Sequence, residues 1–208
     1  MGGTVKEAHL SFADRLLRYF SYCLVKLVHR PKVCGPLPPL TGPTIFACRH
    51  VGLMDPVILM VVYFRHLLHP LVAKDYYEKN KFVRGFYDHA QCIPIDRKTK
   101  SKQWLEDSVA ALGRGESIII FPEGRRNKNG EELLPFRRGV AMLAAYSGAQ
   151  VVPVYNGRWK FPRRYRLAIG EPVSLDPLPA EGLTDEWILT QCDKIRSAVA
   201  ALGPLVNQ

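Results

Sequence analysis

The sequence predicts an α/β fold: a central, mostly buried mixed sheet flanked by helices and preceded by an N-terminal amphipathic helix. Three observations predict it. Beyond residue 43, short β-rich runs alternate with helical stretches, the pattern of a layered α/β domain. Ser117-Ile118-Ile119-Ile120-Phe121 is continuously apolar, as a strand covered on both faces is. Residues 12–29 carry helical periodicity, with an apolar half set against a basic half, until Pro31 stops the pattern.

In that first helix Phe12, Ala13, Leu16, Leu17, Phe20, Cys23, Leu24, Leu27 and Val28 share one half of the wheel. Asp14, Arg15, Arg18, Lys26 and His29 share the other, with Tyr22 and Val25 among them. Such a helix suits a membrane interface, and it suits packing on the domain equally well. Its charges argue against a membrane-spanning helix. Gly35, Pro36, Pro38, Pro39 and Gly42 then form a stiff connection. The expected division is 1–42 for an amphipathic membrane-interface helix with its proline-rich connection, and 43–208 for the globular domain.

Strands are expected at Thr44–Cys48, Pro70–Ala73, Gln91–Ile95, Ser117–Phe121, Gln150–Val154 and Arg166–Ile169. Helices are expected at Pro56–Leu67, Lys81–Tyr87, Ser101–Arg114, Gly139–Ser147 and Asp185–Leu202. The segment Pro177–Pro179 reads as a loop before the last helix.

A chain of 208 residues is one domain long and buries a substantial core. Its net charge of +10 points to an anionic partner: a phosphate-bearing substrate, a membrane surface or a nucleic acid. The five cysteines (Cys23, Cys34, Cys48, Cys92, Cys192) are irregularly spaced, without a C-x-x-C pair or a zinc-like His cluster. Free thiols in a reducing compartment and no metal site are expected. No signal peptide and no apolar stretch of spanning length are evident.

The most informative segment is Arg49-His50-Val51-Gly52-Leu53-Met54-Asp55-Pro56. On one helix His50 and Asp55 would lie roughly 140° apart. Joined by a turn they converge, and an imidazole held by a carboxylate is a general base for a hydroxyl. Taken alone, the segment reads more simply as a strand-end histidine and an Asp N-cap before Pro56. Two further groups change that reading: Asp96-Arg97 and Pro122-Glu123-Gly124-Arg125-Arg126 also stand where strands end, the edge where open α/β sheets gather ligands.

These residues resemble the glycerolipid acyltransferase family, typified by the 1-acylglycerol-3-phosphate acyltransferases. His50-x-x-x-x-Asp55 is similar to the first family motif, which supplies the catalytic His and Asp. Ile93-Pro94-Ile95-Asp96-Arg97 resembles the second, whose Arg contacts substrate phosphate. Phe121-Pro122-Glu123-Gly124-Arg125-Arg126 resembles the third, with Arg125 where Thr is usual, and Val152-Pro153-Val154 the fourth, associated with the acyl-binding side. Leu134 to Gly139 and Ile169 to Val173 extend the resemblance over about residues 44–173. Arg49, Gly52 and Asn127 depart from the family's common Asn, Ser and Ser. None of these removes a group needed for proton transfer; Arg125, an added cation beside the site, bears on the head group.

The resemblance implies an O-acyltransferase domain at 43–208. It would move a fatty acyl chain from acyl-CoA or acyl-carrier protein to a lysophospholipid hydroxyl, by default that of 1-acylglycerol-3-phosphate, giving phosphatidic acid. His50 is the expected base and Asp55 its partner. Arg97, Glu123, Gly124 and Arg126 are the expected substrate-binding groups, the backbone near Gly124 serving as an oxyanion donor. Neither cofactor nor metal is expected. Cys48 lies two residues from His50 on the same strand face, but its apolar run reads as core rather than as a nucleophile's site. The expected setting is the cytoplasmic side of a membrane, peripherally bound, without nucleic acid.

Other basic clusters are left open. Arg158, Lys160, Arg163, Arg164 and Arg166, with Trp159, Phe161 and Tyr165 between them, suit a membrane-facing patch, a nucleic-acid-facing patch or a solvated hairpin. Lys98, Lys100 and Lys102 suit acyl-carrier protein or coenzyme A phosphates. The alternatives are the same chemistry on another lysolipid or hydroxylated acceptor, and a non-catalytic basic protein that binds membrane or nucleic acid.

Overall fold

The computed structural model describes residues 12–99, 101–128 and 133–207, except the side chains of Phe12, Ala13, Asp14 and Leu17. Lys100 therefore lies outside the described residues, as do those four side chains.

Seven strands form one sheet in the order β1-β7-β6-β2-β5-β3-β4. They are β1 (Lys32–Val33), β2 (Thr44–Cys48), β3 (Leu68–Ala73), β4 (Ile93–Ile95), β5 (Ser117–Ile120), β6 (Gln150–Asn156) and β7 (Arg166–Ile169). The pairs β2–β5, β2–β6, β3–β5 and β3–β4 are parallel. Strand β7 runs antiparallel to β6 and parallel to β1, so the sheet is mixed. The loop between β6 and β7 holds no crossover helix, so β7 returns beside β6 as an antiparallel neighbour. Five parallel strands thus deliver their carboxyl ends to one edge.

The helices are α1 (Phe12–Val28), α2 (Asp55–Val62), α3 (Lys74–Tyr77), α4 (Lys81–His89), α5 (Gln103–Gly113), α6 (Gly139–Ser147), α7 (Asp185–Ala201) and α8 (Gly203–Val206). Period-two alternation divides the core between two faces. Ile45, Ala47, Ile118, Ile120 and Val151 pack with Leu112, Leu143, Ile188 and Ile195 of α5, α6 and α7. Phe46, Cys48, Ile119, Val152 and Val154 pack with Ile58 and Leu59 of α2 and with Val25 of α1. The apolar run of α2 from Pro56 to Val62 fits its packing on the sheet, where Ile58, Leu59 and Val61 are buried.

The expected strands and longer helices all form. Three short elements, β1, α3 and α8, were too brief to carry a periodic signal. Strand β1 falls within the proline-rich connection and joins the sheet edge, Lys32 opposite Arg166. Helix α2 stops at Val62 rather than Leu67, because Tyr63 leaves helical geometry and β3 must begin at Leu68 to pair with Ser117.

Helix α1 docks through the half expected to be polar. Val25 is buried among α2 side chains and Tyr22 packs on Phe64, ring centroids 4.7 Å apart. The Arg18 guanidinium donates to the carbonyls of Phe64 and His66 at 3.0 and 3.2 Å. Leu16, Phe20, Leu24 and Leu27, at i, i+4, i+8 and i+11, form an exposed stripe on the other side; Leu27 is 77% exposed. Among the described residues, no helix is long and apolar enough to cross a membrane.

Candidate active site

Strand β2 ends at Cys48, and the chain turns through His50–Met54 into α2. The turn brings His50 Nδ1 to 2.9 Å from Asp55 Oδ2. The same oxygen accepts the Val51 N–H at 2.7 Å and the Gly52 N–H at 2.9 Å. The other oxygen, Oδ1, accepts the Tyr165 hydroxyl at 2.7 Å. Asp55 is 1% exposed, and four donors satisfy its carboxylate. Met54, not Asp55, is the N-cap of α2, and Pro56 occupies the first turn. The Asp55 side chain reaches back to the turn rather than forward to the helix, so the expected cap is replaced by a clamp on His50. Gly52 fits this clamp: a Cβ there would stand 3.1 Å from Asp55 Oδ1.

Glu123 acts on His50 from behind. It is 3% exposed, and its two oxygens accept the backbone N–H of His50 at 2.8 Å and of Leu134 at 3.0 Å. The His50 carbonyl accepts the Asn127 N–H at 2.7 Å. Expected as a substrate-binding residue, Glu123 instead fastens the β2 end to the segment after β5, and it does not line the cavity. The Gly124 N–H donates to Phe121 O at 2.9 Å, closing a turn, so Gly124's own amide is taken up there. Gly124 itself, at φ +70°, lines the cavity; a Cβ would fall 2.3 Å from Arg137 Nε.

A cavity of about 850 Å³ opens at this sheet edge. Its mouth carries His50, Arg97, Arg125, Arg126, Lys128 and Arg137, and its interior Leu71, Ala73, Ile95, Trp104, Ile120 and Val140. The His50 ring stacks on Phe121 at 4.1 Å. The structure thus brings His50, Asp55, Gly124, Arg97 and Arg126 to one place. Arg97 is presented by a turn in which Asp96 accepts the Lys98 and Thr99 N–H groups; those bonds hold the Asp96 carboxyl below its ordinary range. Lys98 pairs with Asp75 at 2.9 Å.

Several residues stand away from the cavity. Arg49 is buried on the other side of β2, 4.5 Å from the Tyr155 ring centroid, with Nη1 donating to Asn156 O. Cys48 is fully buried, and burial, reinforced by the Asp55 charge, pushes its thiol well above the usual range. That makes it a core residue and a poor nucleophile. Val152 and Val154 belong to the core under α2, outside the cavity lining. Among the described residues, no three His, Cys, Asp or Glu side chains converge at metal-binding spacing.

Sequence reasoning missed two side chains. Arg137 stands in the Leu134-to-Gly139 stretch that extends the family resemblance, and Tyr165 is an aromatic in a basic run. The one sequence signal for Arg137 is Gly124, whose lack of a side chain leaves room for it.

Chemically, an acceptor carboxylate on Nδ1 selects the imidazole tautomer with its proton there, leaving Nε2 to take a proton from a hydroxyl. The cations at the mouth suit an anionic group, and the interior suits a hydrocarbon chain.

Known proteins share this architecture. The structure of the 1-acyl-sn-glycerophosphate (LPA) acyltransferase PlsC from Thermotoga maritima superposes with a TM-score of 0.63 at 18% identity, over 96% of this chain and 85% of that one. The 1-acyl-sn-glycerol-3-phosphate acyltransferase of Bacillus subtilis (strain 168) is 28% identical over 141 residues, 65% of this chain and 69% of that protein. The alpha form from Homo sapiens is 34% identical over 118 residues, 53% of this chain and 41% of that protein. The family model described as Acyltransferase matches residues 28–157, a stretch that contains every cavity-lining residue. On that match, the chain belongs to the acyltransferase family.

Proposed function

We propose that the protein transfers a fatty acyl group from a thioester to the hydroxyl of 1-acylglycerol-3-phosphate, giving phosphatidic acid. The observation that carries this reading is the His50–Asp55 pair at 2.9 Å, set between a cationic mouth and an apolar interior. His50 Nε2 takes the acceptor's hydroxyl proton as its oxygen attacks the thioester carbonyl. The tetrahedral intermediate then breaks its C–S bond, and the departing thiolate recovers the proton from His50. No acyl-enzyme forms. Asp55 stabilises the transient imidazolium. Arg97 and Arg126 bind the acceptor phosphate, with Arg125 and Arg137 beside them, and the interior takes an acyl chain. The donor is acyl-CoA or acyl-carrier protein; the cationic mouth attracts either.

The test is a panel of lysolipids with different head groups against both donors, read by thiol release and mass spectrometry of the product. Lysophosphatidic acid is expected to give the highest kcat/KM, and transfer to every other head group with none to this one would sink the reading. Arg97→Ala and Arg126→Ala should each raise KM for the phosphate-bearing acceptor about 10- to 100-fold, the size of a charge-assisted hydrogen bond, with a smaller change in kcat.

The reading includes a membrane surface, where such an acceptor resides. Helix α1 supplies the interfacial element and the domain that begins at β1 the catalysis, on the cytoplasmic side. The exposed stripe Leu16, Phe20, Leu24 and Leu27 supports this, because a different face holds α1 to the domain. The loop between β6 and β7 adds Phe161, 75% exposed, among Lys160, Arg163 and Arg164. Replacing the four stripe residues with serine should cut binding to anionic vesicles by about a hundredfold or more. Thermal stability should stay unchanged; vesicle binding as strong as wild type would remove α1 from this role.

A further inference from the structure

We propose that Tyr165 is a positioning residue for the His50–Asp55 pair, its hydroxyl fixing the second oxygen of the Asp55 carboxylate. The inference rests on the reading of that pair as the site of proton transfer, and it adds a residue outside the stretch matched by the acyltransferase family, 28–157.

The geometry divides the carboxylate between two sets of donors. Oδ2 serves the turn: His50 Nδ1 and the N–H groups of Val51 and Gly52. Among the described residues, Oδ1 accepts a hydrogen bond from Tyr165, at 2.7 Å. Held at one oxygen only, a carboxylate turns about its Cβ–Cγ bond. Held at both, its plane is set, and with it the direction of the His50 ring. Tyr165 is 2% exposed, so no bulk water stands ready to replace its hydroxyl.

The charged and titratable groups around this contact come from two elements. Strand β2 and the following turn supply Cys48, Arg49 and His50; the residue immediately before β7 is Tyr165 itself. Burial pushes the Tyr165 phenol well above its usual range, the Asp55 charge and hydrogen bond and Cys48 add to this, and Arg49 opposes it. The phenol therefore remains an O–H donor at any working pH.

The backbone of Tyr165 is also engaged. Its N–H donates to His29 O and its carbonyl accepts the Lys32 N–H, both at 2.7 Å. One residue thus ties the chain leaving α1 to the carboxylate that holds His50.

Tyr165→Phe removes the hydroxyl and keeps the ring. Its kcat is expected to fall on the order of tenfold, the loss of one hydrogen bond to a charged group, with KM for both substrates within about twofold. The second readout does not depend on activity. In proton NMR spectra of the full chain, the downfield resonance of His50 Nδ1–H, assigned by its absence in His50→Ala, is expected to be displaced or lost in Tyr165→Phe. Incorporating 3-fluorotyrosine at the same position, which retains the donor, is expected to return kcat to near wild type.

An unmoved resonance, or an unchanged kcat, in folded Tyr165→Phe would overturn the proposal. Should that variant fail to fold, 3-fluorotyrosine still decides: its more acidic phenol donates more strongly and must itself displace the His50 resonance, and an unmoved signal overturns the proposal. If the wild-type protein transfers no acyl group to any acceptor, the functional reading fails, while the resonance still tells whether Tyr165 positions the pair.

Discussion

His50→Ala is expected to abolish acyl transfer from a thioester, by roughly 10²–10⁴-fold or more, in a protein that still folds. The two halves of that expectation come from different atoms. The backbone of His50 carries the structural load: its N–H donates to Glu123 and its carbonyl accepts from Asn127, and alanine keeps both. Among the described residues, the side chain carries the Asp55 contact and the stacking on Phe121. Without the imidazole, Asp55 keeps three of its four donors, Val51, Gly52 and Tyr165, so the carboxylate stays satisfied. What disappears is the one nitrogen placed to take a hydroxyl proton. Thiol release from acyl-CoA or acyl-carrier protein in the presence of lysophosphatidic acid measures the effect, with circular dichroism to check the fold. A His50→Ala protein with wild-type turnover would refute the chemistry. The same variant separates the enzyme from a purely basic binding protein, since vesicle or nucleic-acid binding by surface cations is indifferent to His50.

Much of this site was legible in the sequence because its residues sit at strand ends. A run such as Ser117 to Phe121 announces a buried strand, and the polar residues that follow it then fall at the ligand-binding edge. The turn at Gly52 made convergence of His50 and Asp55 a geometric expectation. What stayed hidden depended on backbone partners or on distance along the chain. Glu123 read as a substrate ligand because its type suits one. Its real partners are two backbone N–H groups, which no residue identity discloses. The backbone near Gly124 read as an oxyanion donor, but the turn that makes the glycine conspicuous consumes Gly124's own N–H. Arg18 read only as one cation in the basic half of α1, yet its guanidinium reaches two carbonyls in the connection after α2 and seats the helix. Tyr165 stands 110 residues from Asp55, inside a run whose charges dominated its reading. Local periodicity carries no information about such a pairing. Only the sheet order, which sets β7 two strands from β2 with β6 between them, brings the residue before β7 there.

The proposed mechanism gives Asp55 a catalytic role beside the structural one, and two substitutions are expected to separate them. Asp55→Asn keeps an acceptor oxygen for the turn, and its amide N–H finds an acceptor in the Tyr165 hydroxyl, which both donates and accepts. The protein should fold, with stability reduced by about 1–2 kcal/mol. Activity should nevertheless fall roughly 10²–10⁴-fold, because a neutral amide does not stabilise the imidazolium that forms on His50. Asp55→Ala removes the acceptor altogether. Four donors then face a buried void: the Val51 and Gly52 N–H groups, His50 Nδ1–H and the Tyr165 hydroxyl. His50 escapes by switching tautomer, and the others pay their desolvation in full. The expected cost is roughly 3–5 kcal/mol, a large share of the 5–15 kcal/mol typical of a domain. At about 2–4 °C per kcal/mol for a chain of this size, the melting temperature should drop on the order of 10 °C. Calorimetry and the thiol-release assay on the same two preparations distinguish the roles. A fully active Asp55→Asn would remove the carboxylate from catalysis, and an Asp55→Ala as stable as wild type would show that the four hydrogen bonds do not hold the turn.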